Sequence, residues 1–526
     1  MKPRTLLSLL CLLLTTCDDR NSRPIEVLTR ADRGGARSFE VTIRTPVDPD
    51  SLQVELNGTA LAPADWKVEL EGGAGRVSGP LPAQVLRTGD NSVRATARTR
   101  FAGAISAETT FVHAPAGAPP AGRLKGHVDW QGHPAMHLCW PFFKPGLTEV
   151  TDPDLTWKHQ FRQSCHAPDL RASGIRVFGA AAMAAERAEN PAQARKLILD
   201  QLAYVERFVS ENSADFALAR TPEEARWLLA NTARIVVVHQ IEGGRMILSG
   251  PEDARFWADQ GVMLITLIHL LDDELGGSAL EETFVSGAIN LKGWARRRSG
   301  ARRGLTTRGK EAIVELAREG ILVDLTHMSP DSVDDALAVC QANGIPPVVT
   351  HGMFSPIKSG ERSFTPEQVL AIHRLGGAFS IPVNGGALDP AHPTVPIPAT
   401  LVPGTMSSFR FHYEFLQGWL FDHAALALED PSIQSPADLT EEQTTRLAVG
   451  WASDWNGWTD HTRPDPPGTV PAGTPPLAID RIGLAHPGLL PQYWQRLAES
   501  GMDLEPLERS VEQFLRVWER ARLGPK

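Results

Sequence analysis

Between residues 38 and 113, apolar and polar positions alternate in short runs: SFEVTIRT (38–45), SLQVELNG (51–58), NSVRATART (91–99) and SAETTFVH (106–113). Period-two alternation places one set of side chains on each face of a strand. The runs are separated by NG, GG and GDN, which favour the tight turns that join antiparallel neighbours. Several short strands at this spacing predict a small all-β, immunoglobulin-like sandwich over 37–115. APAGAPPAG (114–122) follows and reads as a linker.

Beyond the linker the pattern changes. Continuous apolar runs alternate with helical stretches, as expected for parallel strands buried on both faces. Eight are predicted: a run around 124–130, then IRVFGAA (175–181), RIVVVHQI (234–241), VMLITLI (262–268), ILVDLT (321–326), PVVT (347–350), GAFSIPV (377–383) and LAVGWAS (447–453). GLTTRGKEAIVELAREG (304–320) is an intervening helix, with Thr306 or Thr307 as its cap, Ile313, Leu316 and Ala317 on its inner face and Gly320 at its end. The prediction is an α/β chain whose larger part, 121–526, is a (β/α)8 TIM barrel. Two proline-rich segments, 389–398 and 463–476, fit loops at its mouth or rim.

In such a barrel, chemistry collects where the strands end. Reading those ends gives Glu242 after VVVHQI, His269 after LITLI, His327 after VDLT, His351 after PVVT and Asp454 after VGWAS. The first run adds His127, Asp129 and His133 in GHVDWQGHP. A lone histidine at a strand end is usually a hydrogen-bonded core or surface residue. Imidazoles and carboxylates at the same end of at least six strands are aimed at one point once the barrel closes. That register predicts a metal centre, and His and carboxylate donors without Cys suit zinc.

Composition narrows the setting. The chain is 42% hydrophobic over 526 residues, enough for a large core and more than one domain. A net charge of −10 gives nucleic-acid binding no electrostatic support. The one basic patch, ARRRSGARR (295–303), is expected to be a solvated loop. Cys139, Cys165 and Cys340 form no CxxC pair and read as buried small residues, with a Cys139–Cys165 bridge as the alternative. At the N-terminus, MKPR, the short apolar run LLSLLCLLL and TTC make an export signal. LTTC resembles a bacterial lipobox, so residues 1–17 are expected to be a lipoprotein signal with Cys17 as the lipidated residue. Residues 18–36 then read as a tether, and the mature protein as an envelope lipoprotein held at a membrane.

From about 122 to 460 the chain resembles the membrane dipeptidase (renal dipeptidase) family of amidohydrolase-type metal barrels. IEGG (241–244) resembles the family segment with the metal-bridging Glu, implying that role for Glu242. GVMLITLIHL (261–270) implies substrate contact by His269. The segments 304–329 and 348–364 imply His327 and His351 as ligands and Arg362 as the partner of a substrate carboxylate. ASDWNG (452–457) implies that Asp454 handles the proton. The match loosens at the first strand. One register makes His127 and Asp129 the ligands; a second, slightly favoured, puts Gln131 and His133 there, with His137 in reserve. Gln is a weak neutral ligand, so two zinc ions or one remain open on the sequence. The resemblance implies hydrolysis of the amide bond of a small dipeptide-like substrate, with a homodimer as a further expectation. Lactone, phosphoester or cyclic-amide hydrolysis, or a non-catalytic lipid-anchored binding protein, are the alternatives.

Overall fold

The computed structural model describes residues 25–525 apart from 32–35, 72–73, 100–102, 115–123, 149–151, 153, 160–164, 185, 281–289 and 470–473. The expected signal and Cys17, and nearly all of the linker, lie outside the described residues.

The N-terminal unit is two four-stranded antiparallel sheets. One orders β1 (Ile25–Ala31), β2 (Arg37–Ile43), β6 (Ala74–Pro80) and β5 (Lys67–Glu71); the other orders β4 (Thr59–Ala60), β3 (Gln53–Leu56), β7 (Gly89–Thr99) and β8 (Gly103–His113). Alternate residues Phe39, Val41, Val54, Leu56, Val77 and Val93 meet between the sheets and are buried, each contributing roughly 1.5–3 kcal/mol. The sandwich begins earlier than the tether reading allows. IEVLTRA pairs along its whole length with β2, from Ile25↔Ile43 to Ala31↔Arg37, because its own alternation supplies Ile25 and Val27 to the core.

The sandwich meets the barrel through apolar and polar contacts, with Val112 of β8 buried beside Ala217, Ala225 and Leu228. Arg37 is buried against Glu224 and donates to the carbonyl of Val112 at 2.6 Å, while Arg234 pairs with Asp90 at 2.8 Å.

Eight parallel strands close the second unit in the order β9 (His127–Gly132), β10 (Ile175–Met183), β12 (Ile235–Glu242), β13 (Val262–Thr266), β14 (Leu322–Asp324), β15 (Pro347–Val349), β18 (Ala378–Pro382) and β19 (Val449–Ala452). All eight coincide with the predicted apolar runs. A short ninth strand, β11 (Phe216–Leu218), adds to the outside of β12. Two others, β16 (Met353–Phe354) and β17 (Ser363–Phe364), pair within the loop after β15.

Inward residues such as Val128, Trp130, Val236, Val238 and Val348 fill the lower barrel. Phe514 and Trp518 of the helix Ser510–Arg522 pack onto this cluster, with Phe514 edge-on to Trp130 at 5.2 Å. The helix Thr307–Arg318 is capped by Thr306, whose side chain accepts from the Gly309 amide. Cys139, Cys165 and Cys340 are buried free thiols, without the Cys139–Cys165 bridge. The arginine cluster is largely exposed, as expected, but only residues 300–303 are a loop; residues 295–299 end a helix, Leu291–Ser299, whose Arg296 pairs with Asp272 at 3.0 Å and with Glu361 at 3.5 Å.

The candidate metal centre

Among the described residues, the ends of β12, β14 and β15 bring together one group of potential ligands. Glu242 is the last residue of β12, level with Met183 of β10 and Thr266 of β13. Past β14 the chain reaches His327 in a left-handed conformation (φ 68°), which is uncommon for a non-glycine residue and clusters at functional sites. Past β15 it reaches Thr350 and His351. The Nε2 atoms of His327 and His351 are 3.0 Å apart, and they lie 3.3 and 3.8 Å from Glu242 Oε1. All three side chains are buried.

Their charge states suit a cation. Burial, reinforced by the Arg362 guanidinium, holds His327 well below the usual imidazole range. Burial also lowers His351, against the pull of Asp454. Burial would raise Glu242, but the surrounding His269, His133 and His327 hold its carboxyl well below the usual range. Behind His351, Thr350 Oγ1 is 2.9 Å from His351 Nδ1 and 2.9 Å from Asp324 Oδ2. With Nδ1–H donating to Thr350, and Thr350 to Asp324, the His351 Nε2 lone pair is turned toward Glu242, the support that metal-ligating histidines ordinarily have. Two neutral imidazoles facing each other beside an ionised carboxylate form a donor set that fits a divalent ion.

The first strand contributes its upper residues only. His127 and Asp129 lie on the outer face of β9, opposite the inward Val128 and Trp130, and a register shift between Asp129 and Gly132 turns the chain so that only residues beyond Asp129 face the centre. His127 opens β9 at the far end from His133. Its ring stacks on Trp494 with centroids 5.0 Å apart, and burial lowers its pKa to about 4. It is a neutral core histidine and not part of the centre. Asp129 accepts from the Ser453 amide at 2.8 Å and the Ser453 hydroxyl at 2.6 Å. Its carboxylate closes the barrel instead of reaching the centre, and burial pushes its pKa up to about 7 despite those bonds. His137 turns away against Tyr204, with ring centroids 4.9 Å apart.

Gln131 and His133 do arrive, as the second register expects. Gln131 Nε2 donates to Glu242 Oε1 at 2.7 Å, and His133 Nε2 lies 3.2 Å from both Glu242 Oε2 and Asp454 Oδ1. Burial opposes charge on His133, but hydrogen bonds to Asp454 and Glu242 raise it to about 10. Asp454 follows β19 with φ 55°. Gly457, three residues on, leaves room for its carboxylate; a Cβ there would collide with it. His269 faces Glu242 Oε2 at 3.4 Å through Nε2, and its Nδ1 meets Glu186 Oε1 at 2.8 Å. Burial disfavours its charged form, but Glu186 and Glu242 raise it to about 9. Arg362, just before β17, brings Nη2 to 3.3 Å from His327 Nε2.

A family model for the membrane dipeptidases, peptidase family M19, matches residues 137–427, more than half of the chain. The chain belongs to this family. The membrane dipeptidase match encloses Glu242, His269, His327, His351 and Arg362, whereas β9 and β19 lie outside it. Among curated relatives, an uncharacterized dipeptidase of Schizosaccharomyces pombe is 25% identical over 183 residues, 35% of this chain and 40% of that protein. A dipeptidase of Aspergillus terreus is 27% identical over 189 residues, covering 35% and 44%. The chain thus spans less than half the length of these curated relatives. A metallopeptidase from Rhodobacter sphaeroides, solved with a phosphinate mimic of L-Ala-D-Ala, shares the fold with a TM-score of 0.51 at 16% identity, over 76% of this chain and 99% of that one.

Three supporting residues escaped the sequence reading. Glu186 lies three residues beyond β10, where the apolar run IRVFGAA continues through AMAA directly to it, so the strand-end reading applied to the other strands would have found it. Asp324 and Thr350 sit inside strand-end motifs whose histidines drew the attention. A buried acid or hydroxyl just before a ligand histidine is the signal that would have found them.

Proposed function

We propose that this chain is a zinc-dependent hydrolase of dipeptide-like amide bonds. The observation that carries the reading is the convergence of Glu242, His327 and His351 from the ends of β12, β14 and β15, with Arg362 beside them. These three residues are assigned to one firmly held zinc. His133 and Glu242, with the neutral Gln131, make a second and weaker position. Bound zinc supplies Lewis acidity toward a water and the scissile carbonyl. Asp454, held by His133, takes the proton of the attacking water and delivers it to the leaving amine. His269, oriented by Glu186, donates a hydrogen bond to the oxygen that gains charge. Arg362 pairs with the free carboxylate of the substrate by a two-pronged hydrogen bond.

The test is metal content by emission spectrometry alongside hydrolysis of L,L- and L,D-dipeptides. The ligand of the Rhodobacter protein makes Ala-D-Ala a first substrate to try. About one firmly bound zinc and turnover of a free dipeptide, but not of its C-terminal amide, support the assignment. No zinc after reconstitution and no turnover overturn it.

The N-terminal motif extends the proposal to an envelope lipoprotein lipidated at Cys17. Among the described residues, no helix is long and apolar enough to cross a membrane. Cys17→Ala is therefore expected to shift the protein from the membrane to the soluble fraction of cells, and an unchanged distribution counts against the anchor.

A further inference from the structure

On one side of the centre, the loops after β9 and β19 carry a group of aromatic rings that the proposed reaction does not use. Trp458 sits 5.6 Å from Phe142 and 6.5 Å from both Trp140 and Phe143, measured between ring centroids. The Arg187 guanidinium covers Trp140 at 5.6 Å. Beneath the rings, Phe143 packs with Met136 and Met183 in a small buried cluster. Trp458 itself is 41% exposed, one of six large apolar side chains this open among the described residues. It also takes a left-handed conformation (φ 64°), so the loop backbone turns specifically to present it.

This shelf is joined to the centre. The Trp455 carbonyl accepts from the His133 amide at 2.7 Å, and the His133 carbonyl accepts from the Met136 amide at 3.3 Å and from Asn456 Nδ2 at 3.4 Å. The two loops are thus pinned at the histidine that holds Asp454. Met183 is the register partner of Glu242. In the closed order of eight strands, β9 stands opposite β14, the strand that leads to His327 and its neighbour Arg362.

We propose that this shelf is the specificity pocket for the residue on the acyl side of the scissile bond, and that it selects a large apolar or aromatic side chain there. The inference rests on the dipeptidase reading: with the substrate carboxylate at Arg362 and the peptide bond over Glu242, the N-terminal residue extends toward β9 and β19. Trp and Phe faces offer that side chain a large contact area and offset or edge-on ring packing. Because Trp140 and Trp458 come from different loops, the width of the pocket depends on their mutual position.

The experiment measures kcat/KM of the zinc-loaded full chain for Phe-Ala, Ala-Phe and Ala-Ala. It also measures equilibrium binding of phosphinate dipeptide mimics carrying benzyl or methyl on the acyl side. The expected result is a preference of roughly tenfold or more for Phe-Ala over Ala-Ala, and for benzyl over methyl. That ratio should collapse in Trp458→Ala and in Trp140→Ala and be largely retained in Trp458→Phe. Equal treatment of Phe-Ala and Ala-Ala, or a collapse that falls on the Ala-Phe ratio, overturns the pocket while leaving the dipeptidase reading intact. A benzyl preference in binding with no turnover of any dipeptide upholds the pocket and removes the dipeptidase reading. Neither binding nor turnover removes both.

Discussion

The two sides of the centre are built differently. On the β14–β15 side, His327 and His351 are neutral and Thr350 and Asp324 orient His351 from behind, so donor atoms are kept available. On the β9–β19 side, the side chains satisfy one another: Gln131 donates to Glu242, and His133 is charged between Glu242 and Asp454. The first arrangement favours a cation and the second favours a proton. The family match covers the first side and stops short of the second. The half with the neutral donors thus lies within the family match, and the half whose side chains satisfy one another takes Gln131, His133 and Asp454 from outside it and borders the aromatic shelf.

Replacing a donor tests that contrast most severely. His351→Ala is expected to remove bound zinc and dipeptide hydrolysis together; a variant that kept its zinc would place the donors elsewhere. Asp454→Asn should separate the two properties, lowering kcat by roughly 10²–10⁴-fold with zinc content unchanged. Loss of zinc in that variant would erase the distinction between the sides. Thr350→Val removes the support of His351 together with the hydroxyl's contacts to Asp324, Gln131 and Thr326, and a chelator competition should show zinc bound roughly 10–100-fold more weakly. Gln131→His sharpens the comparison from the other side by adding a true ligand. Its metal content should rise from about one ion per chain toward two; an unchanged content would mean that position 131 does not limit the second site.

The smallest effect concerns stability. The folded pKa of Asp129, about 7, lies above that of an unfolded aspartate, so its contribution is full below about pH 4 and is lost as pH rises through 7. Asp129→Asn lacks that slope. The difference in denaturation midpoint between variant and wild type, measured with excess zinc at pH 5 and 7.5, should move in favour of Asn at the higher pH. A constant difference would mean that Asp129 is ionised throughout.

Much of this was legible in the sequence because a strand buried on both faces must be apolar until it ends. ILVDLTHMS and PPVVTH therefore announce both a stave and a residue that does not belong in one. A register shift within a strand is less legible. GHVD and DWQGH present the same parity in the sequence, and the shift between Asp129 and Gly132 decides that His127 stops beside Trp494 while His133 reaches Glu242. The strand β11 is three residues long and lacks a pattern of its own, so nothing local marks it. IEVLTRA was hidden for a different reason: its charged surroundings look like a tether, although the segment pairs along its full length with β2.

Barrel closure between β9 and β19 rests on one backbone pairing, Trp451↔Asp129, together with the bonds from Asp129 to Ser453. This seam joins the first barrel strand to be synthesised with the last. During translation, Glu242, His327 and His351 have all emerged long before Asp454. A nascent chain therefore carries the three clustered donors while Asp454 is still to come, and under the proposed reaction its site would be complete only when its last barrel strand docks.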